Sequence, residues 1–154
     1  MEAPEAEDVV AVWERARLDA QPWLEERMGY SHEDNLAFFR GTIMREYELW
    51  VVRDEGAIEA FLALSPGTVE YLYVDPPAQG SGIGTALLEH AKAAWPRGLR
   101  LFTHQRNERA RAFYERRGFR AVAFGVSPAP ESEPDVEYCW DGEPPPAGPE
   151  DFVA

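Results

Sequence analysis

The sequence predicts an α/β domain in which a mixed sheet carries helices on both faces. Two patterns carry that expectation. Behind two N-terminal helices, strand-like and helix-like runs follow in the order β-β-β-α-β-α-β-β, and Gly or Pro stands at most of the joints between them. At 154 residues the chain suits one domain, long enough to bury about 70% of the surface its unfolded form exposes.

Asp8 to Ala20 reads as the first helix, with Val9, Val12, Trp13, Ala16 and Leu18 partly on one face, and Pro22 ends it. Ser31-His32-Glu33-Asp34 is a capping box with Asp in place of Glu or Gln. It starts a second helix to about Met44 that buries Leu36, Phe39 and Ile43. Glu48 to Arg53 is a strand, Asp54-Glu55-Gly56 a hairpin turn, and Ala57 to Leu64 the next strand. Ser65-Pro66-Gly67 turns the chain into a third strand, Thr68 to Val74.

A helix follows from about Gly82 to Trp95, with Ile83, Ala86, Leu87, His90, Ala91 and Ala94 sharing a face, and Pro96 stops it. Leu99 to Thr103 is a short strand. Asn107 to Arg117 is a helix with Gly118 at its C-cap. Phe119 to Val126 and Val136 to Trp140 are strands joined by a loop over Pro128 to Pro134. The domain thus spans 8–140, between a flexible N-terminus over 1–7 and an acidic, Pro-rich tail over 141–154.

Gln79-Gly80-Ser81-Gly82-Ile83-Gly84 stands between the third strand and the following helix. Glycines let backbone lie close to a ligand, because no Cβ intervenes. A helix N-terminus points unpaired N–H groups outward and carries partial positive charge, which suits phosphate. A phosphate-binding P-loop needs Lys then Ser or Thr after the last glycine, whereas Thr85 and Ala86 follow Gly84. A dinucleotide fingerprint needs glycine where Thr85 stands.

The net charge of −13 argues against nucleic acid as a partner. Its distribution is uneven. Residues 76–120 hold 3 acids and 9 bases, while the rest of the chain sums to −19. An anionic ligand therefore meets the one basic segment, and the acidic remainder favours a cationic co-substrate. No run approaches the roughly 20 apolar residues of a membrane span, and the acidic N-terminus is no signal peptide. The single cysteine, Cys139, forms no intramolecular disulfide and fits a reducing, cytoplasmic setting. Arginine outnumbers lysine 14 to 1, as in a GC-rich bacterium.

Two blocks resemble the GNAT family of N-acetyltransferases. The first runs Tyr71-Leu72-Tyr73-Val74-Asp75-Pro76-Pro77-Ala78-Gln79-Gly80-Ser81-Gly82-Ile83-Gly84-Thr85, with the Gln-x-x-Gly-x-Gly pattern of the family's coenzyme A loop. The second is Asn107 to Arg120, with Asn, Ala112, Phe113-Tyr114 and Gly118-Phe119 in the family's order. The likeness covers roughly residues 8 to 140, most strongly 68 to 120. It implies a mostly antiparallel sheet of the GNAT type, acetyl-CoA as cofactor, and transfer of acetyl to a primary amine by direct attack in a ternary complex.

The likeness implies roles residue by residue. Tyr114 becomes the candidate general acid that protonates the leaving thiolate, and Glu70 the candidate base, directly or through water. The backbone of Leu72, Tyr73 and Val74 pairs with the pantetheine arm as an added strand. Gln79, Gly80, Ser81, Gly82, Ile83, Gly84 and Thr85 hold the pyrophosphate. Asn107 bonds the pantetheine or caps its helix, and Arg106, Arg109 or Arg111 meets the 3′-phosphate. Trp23, Tyr30, Glu33 and Asp34 line the acceptor site, whose amine is small or peptidic. No metal site is expected, since His32, His90 and His104 stand apart; His104 ends its strand near the supposed site. A homodimer is compatible with the fold. Two other readings stay open: a non-catalytic acyl-CoA sensor on the same fold, and an interaction domain that has lost the cofactor.

Overall fold

A computed structural model describes residues 3–143. Helices α1 (Ala3–Ala20), α2 (Pro22–Met28) and α3 (His32–Phe38) come first, and α3 runs through a π-helical turn at Phe39–Ile43 into α4 (Met44–Glu46). Then follow β1 (Glu48–Asp54), β2 (Ala57–Ser65), β3 (Thr68–Val74), a 3-10 turn at Pro76–Ala78, α5 (Ile83–Ala94), β4 (Leu99–His104), α6 (Glu108–Glu115), β5 (Arg120–Val126) and β6 (Pro134–Trp140). The six strands form one sheet in the order β1-β2-β3-β4-β6-β5, and only β3 and β4 run parallel.

Two apolar layers sandwich the sheet. On one face Leu62, Leu64, Leu101, Val136 and Tyr138 pack against Leu87, Leu88 and Ala91 of α5 and Tyr114 of α6. On the other, Phe61 and Ala63 pack against Val9, Val10, Val12 and Trp13 of α1 and against Phe39 and Ile43. The predicted capping box is present: Ser31 N–H donates to Asp34 and Asp34 N–H to Ser31 Oγ. Gly118 holds φ +91°, with Phe119 N–H returning to the Tyr114 carbonyl as a helix terminator does.

Three expectations are corrected. The first helix begins at Ala3 rather than Asp8, so residues 3–7 are helical; Ala6 is fully buried, and Glu5 pairs with Arg53. Of the expected tail, Asp141 pairs with Arg120 and Glu143 N–H donates to the Pro96 carbonyl, while 144–154 lie outside the described residues. Third, strict alternation puts Glu70 on one face with Leu72 and Val74, but β3 carries a bulge. Ala63 faces Tyr71 and Leu64 faces Val69, leaving Glu70 as the extra residue. Parity flips there, so Val69, Leu72 and Val74 share one apolar layer while Tyr71 and Tyr73 enter the other.

The bulge positions the site. A bulged strand bends and twists more strongly, and β3 pairs with β4 at Thr68↔Arg100 alone. Past that point β3 stays paired to β2 as far as Val74. Its other edge, from Tyr71 onward, faces an opening between β3 and β4.

Candidate active site

The opening holds two cavities. The first, about 590 Å³, is lined by Leu72, Tyr73 and Val74 of β3, by Gln79, Gly80, Gly82, Gly84 and Thr85, and by Asn107, Arg109, Ala110, Phe113, Tyr114, Arg116 and Arg117 around α6, with Ala16 and Ala20 of α1 as a further wall. It contains three arginines and no carboxylate. The second, about 600 Å³, is lined by Phe102, Thr103 and His104 of β4, Asp135 and Glu137 of β6, and residues 123–128, with Gln21. It contains two carboxylates and neither Lys nor Arg. Tyr73 and Asn107 line both. A cationic groove and an anionic one thus meet at the splayed strands.

The glycine turn is built for close approach. Gly80 and Gly82 hold φ +82° and +89°, which L side chains rarely adopt. Gly84 is closed for another reason: a Cβ there would stand 3.3 Å from the Phe113 ring and 3.6 Å from Val74. Gly82 is the N-cap of α5 and contributes no side chain, so the helix's first N–H groups lack a capping group from the protein. Arg15 braces the turn from α1 through a bidentate pair to Asp75 at 2.9 Å. Gln79 Nε2 donates to the Val74 carbonyl at 3.1 Å, and Ser81 Oγ to the Ala78 carbonyl. Both side chains thus shape the loop from within.

Tyr114 is 8% exposed and packs edge-on against Phe113 and Phe119, at 5.2 and 5.6 Å between ring centres. Burial pushes its phenol well above the ordinary value, and Tyr73 across the opening adds to the effect. Burial likewise raises Tyr73. Asn107 caps α6, accepting from Ala110 N–H at 3.2 Å; its amide NH2 is the end the cap leaves free.

The remaining expected residues fall elsewhere. Ser81, Ile83, Glu70 and Arg111 line neither cavity. Ile83 packs into the α5 layer. Glu70, at the bulge, accepts from Ser65 Oγ at 2.7 Å. Arg111 is turned to Tyr138 Oη at 3.0 Å and the Gln105 carbonyl. Of the arginines proposed for the 3′-phosphate only Arg109 lines the first cavity, paired with Asp19 at 2.6 Å; Arg106 lies over Trp23 at 4.3 Å. Arg116 and Arg117 are the cations sequence reasoning missed. Arg117 stacks on Phe113 at 3.9 Å and donates to Thr85 Oγ1, linking α6 to the glycine turn. Their position directly before Gly118 in the second conserved-looking block was the available signal.

The acceptor wall also differs. Trp23, Tyr30, Glu33 and Asp34 line neither cavity. Asp34 is spent on the capping box, whose donors from Ser31 hold its carboxyl below the usual range. Tyr30 lies under the buried Arg17, and Glu33 is exposed in the first turn of α3.

This arrangement fits an extended, phosphate-bearing thioester. The free edge of β3 suits an amide-bearing arm; the uncapped helix start and the arginines suit phosphates. The comparisons with known proteins agree. Residues 45–121 match the family model described as Acetyltransferase (GNAT) domain. The chain is 31% identical over 119 residues to peptidyl-lysine N-acetyltransferase YjaB of Salmonella typhimurium, across 77% of this chain and 79% of that one. It superposes on the solution structure of the apo form of YjaB from Escherichia coli with a TM-score of 0.73, covering 93% and 95% of the two chains at 26% identity. A Bacillus anthracis acetyltransferase in complex with acetyl coenzyme A shares the fold, with a TM-score of 0.56 over 64% of each chain at 21% identity. The chain belongs to the GNAT family of acetyltransferases and takes its acetyl group from acetyl-CoA.

Proposed function

We propose that this enzyme acetylates the ε-amine of lysine in a peptide or protein, by direct attack with both substrates bound together. One observation carries the reading: a cation-lined groove and a carboxylate-lined cavity, open at once, meet at Tyr73 and Asn107. The names of the YjaB relatives support a peptidyl-lysine acceptor. The exposed rings of Phe102 and Phe124 beside Asp135 and Glu137 suit a cationic side chain presented on a peptide rather than a free small amine. Cys139 lines neither cavity, so no thiol stands ready to carry the acetyl group.

Acetyl-CoA, when bound, supplies the acetyl group as an activated thioester. The β3 edge from Leu72 to Val74 aligns its arm, the glycine turn with Arg116 and Arg117 neutralises its phosphates, and Asn107 offers its amide NH2 at the junction. Tyr114 keeps its proton throughout the neutral range because burial disfavours the phenolate, and it is the donor for the departing sulfur. Glu70 receives no support as base, since its carboxylate lies outside both cavities. We place the enzyme in a bacterial cytoplasm on its single cysteine and arginine-rich composition.

The test is mass spectrometry of lysine-bearing peptides incubated with the protein and acetyl-CoA, beside free polyamines and aminoglycosides. An added acetyl on lysine is expected. Faster turnover of a non-peptide amine overturns the peptide assignment.

A further inference from the structure

Resting on the lysine reading above, we propose that His104 is the base of the transfer and that Glu131 positions it. His104 ends β4 where the strands part, and its ring forms part of the wall of the acceptor cavity beside Tyr73 and Asn107. Its backbone is fixed: the carbonyl accepts from Asn107 N–H at 3.0 Å, and the next residue, Gln105, donates to the Pro134 carbonyl and, through its side chain, to the Asp135 carbonyl. The ring's Nδ1 is buried with no hydrogen-bond partner. Such an atom is unfavourable unless a ligand or water meets it, and the adjoining cavity is where the amine must come.

The other ring nitrogen faces an acid. Nε2 stands 3.9 Å from Glu131 Oε2, within ion-pair range once the ring is protonated. Glu131 is itself held from two sides. Arg17, 5% exposed, reaches it at 3.6 Å while pairing with Glu25 at 2.7 Å, and Arg27 donates to its carbonyl at 2.6 Å. The order Arg17, Glu131, His104, cavity is that of a base oriented by a third group. Around the ring stand Arg17 of α1, Tyr73 of β3, Glu131 of the loop after β5, and Asp135, opposite His104 on β6 with Glu137 further along the same face. The carboxylates outnumber Arg17 and favour the imidazolium.

The step balances simply. The acceptor ammonium's N–H bond breaks, an N–H bond forms on neutral His104, and the nitrogen keeps the electron pair with which it attacks. His104 then passes its proton to solvent, one per turnover.

The experiment combines pH-rate profiles on a lysine peptide with NMR titration of the ring protons of His32, His90 and His104, told apart by single substitutions. His104→Gln is expected to lower kcat by on the order of 10²-fold, to remove the acidic limb of the profile, and to leave acetyl-CoA affinity unchanged. Glu131→Gln is expected to lower the His104 midpoint by NMR in the cofactor-free protein and to move the limb with it. A purely structural role for Glu131 moves neither. His104→Gln as active as wild type overturns the base assignment alone. A wild-type limb that does not coincide with the His104 titration also overturns it, even where that variant does not fold. A wild-type protein that acetylates no lysine peptide overturns both readings.

Discussion

Tyr114→Phe removes one oxygen and nothing else. The ring keeps its contacts with Phe113, Phe119 and Tyr138, at 5.2, 5.6 and 6.4 Å between centres, so stability is expected within about 1 kcal/mol of wild type. The groove is lined by ring edge and backbone rather than by that hydroxyl, so KM for acetyl-CoA is expected within about twofold. The proton donor is lost. A positioned acid contributes roughly 10² to 10⁴-fold, and even the lower figure raises the barrier by about 2.7 kcal/mol. The assay is continuous detection of free thiol against pH, with denaturant unfolding of both proteins alongside. A fall in kcat of at least about 10²-fold, with unchanged KM, is expected. Because burial holds the phenol above its ordinary value, Tyr114 itself adds no basic limb below about pH 10. If kcat falls by less than threefold and the profile keeps its shape, Tyr114 is packing and the donor must be sought among waters or Tyr73.

Further expectations concern the loop, the bulge and the buried phenols. Gly82→Ala places a methyl in open space, with nothing within 4 Å, at φ +89°; the strain is about 1–2 kcal/mol by denaturant unfolding, and acetyl-CoA affinity by calorimetry drops because the methyl enters the groove. Undiminished affinity there removes the turn from cofactor binding. Glu70→Gln keeps an acceptor for Ser65 Oγ and is expected to hold kcat within about threefold; a loss of 10²-fold or more restores Glu70 as the base. Burial raises the phenols of Tyr71, Tyr73 and Tyr114. Above about pH 10 the unfolded chain releases those protons while the folded one keeps them, so stability falls as pH rises. Tyrosine absorbance that titrates freely before unfolding contradicts that.

The sequence by itself determined what depends on near neighbours in the chain. The capping box at Ser31 and Asp34, the positive-φ glycines at 80, 82 and 118, the Phe113-Tyr114 pair and the alternation of strands and helices are each specified by a few consecutive residues. Their preferences follow from sterics and local hydrogen bonds. Glu70 shows where such reading stops: its bulge is a mismatch between two strands, and no window along β3 alone contains it. The choice among arginines was closed to the sequence for the same reason. Arg106, Arg109, Arg111, Arg116 and Arg117 are alike in type and crowd into twelve residues, and only the packing of α6 against Trp23, Tyr138 and Thr85 assigns each its partner. The acceptor cavity was the least legible part. It is assembled from β3, β4 and β6, and so depends on which strands pair and where they part. That is a balance of long-range burial and register, decided only when the whole sheet closes.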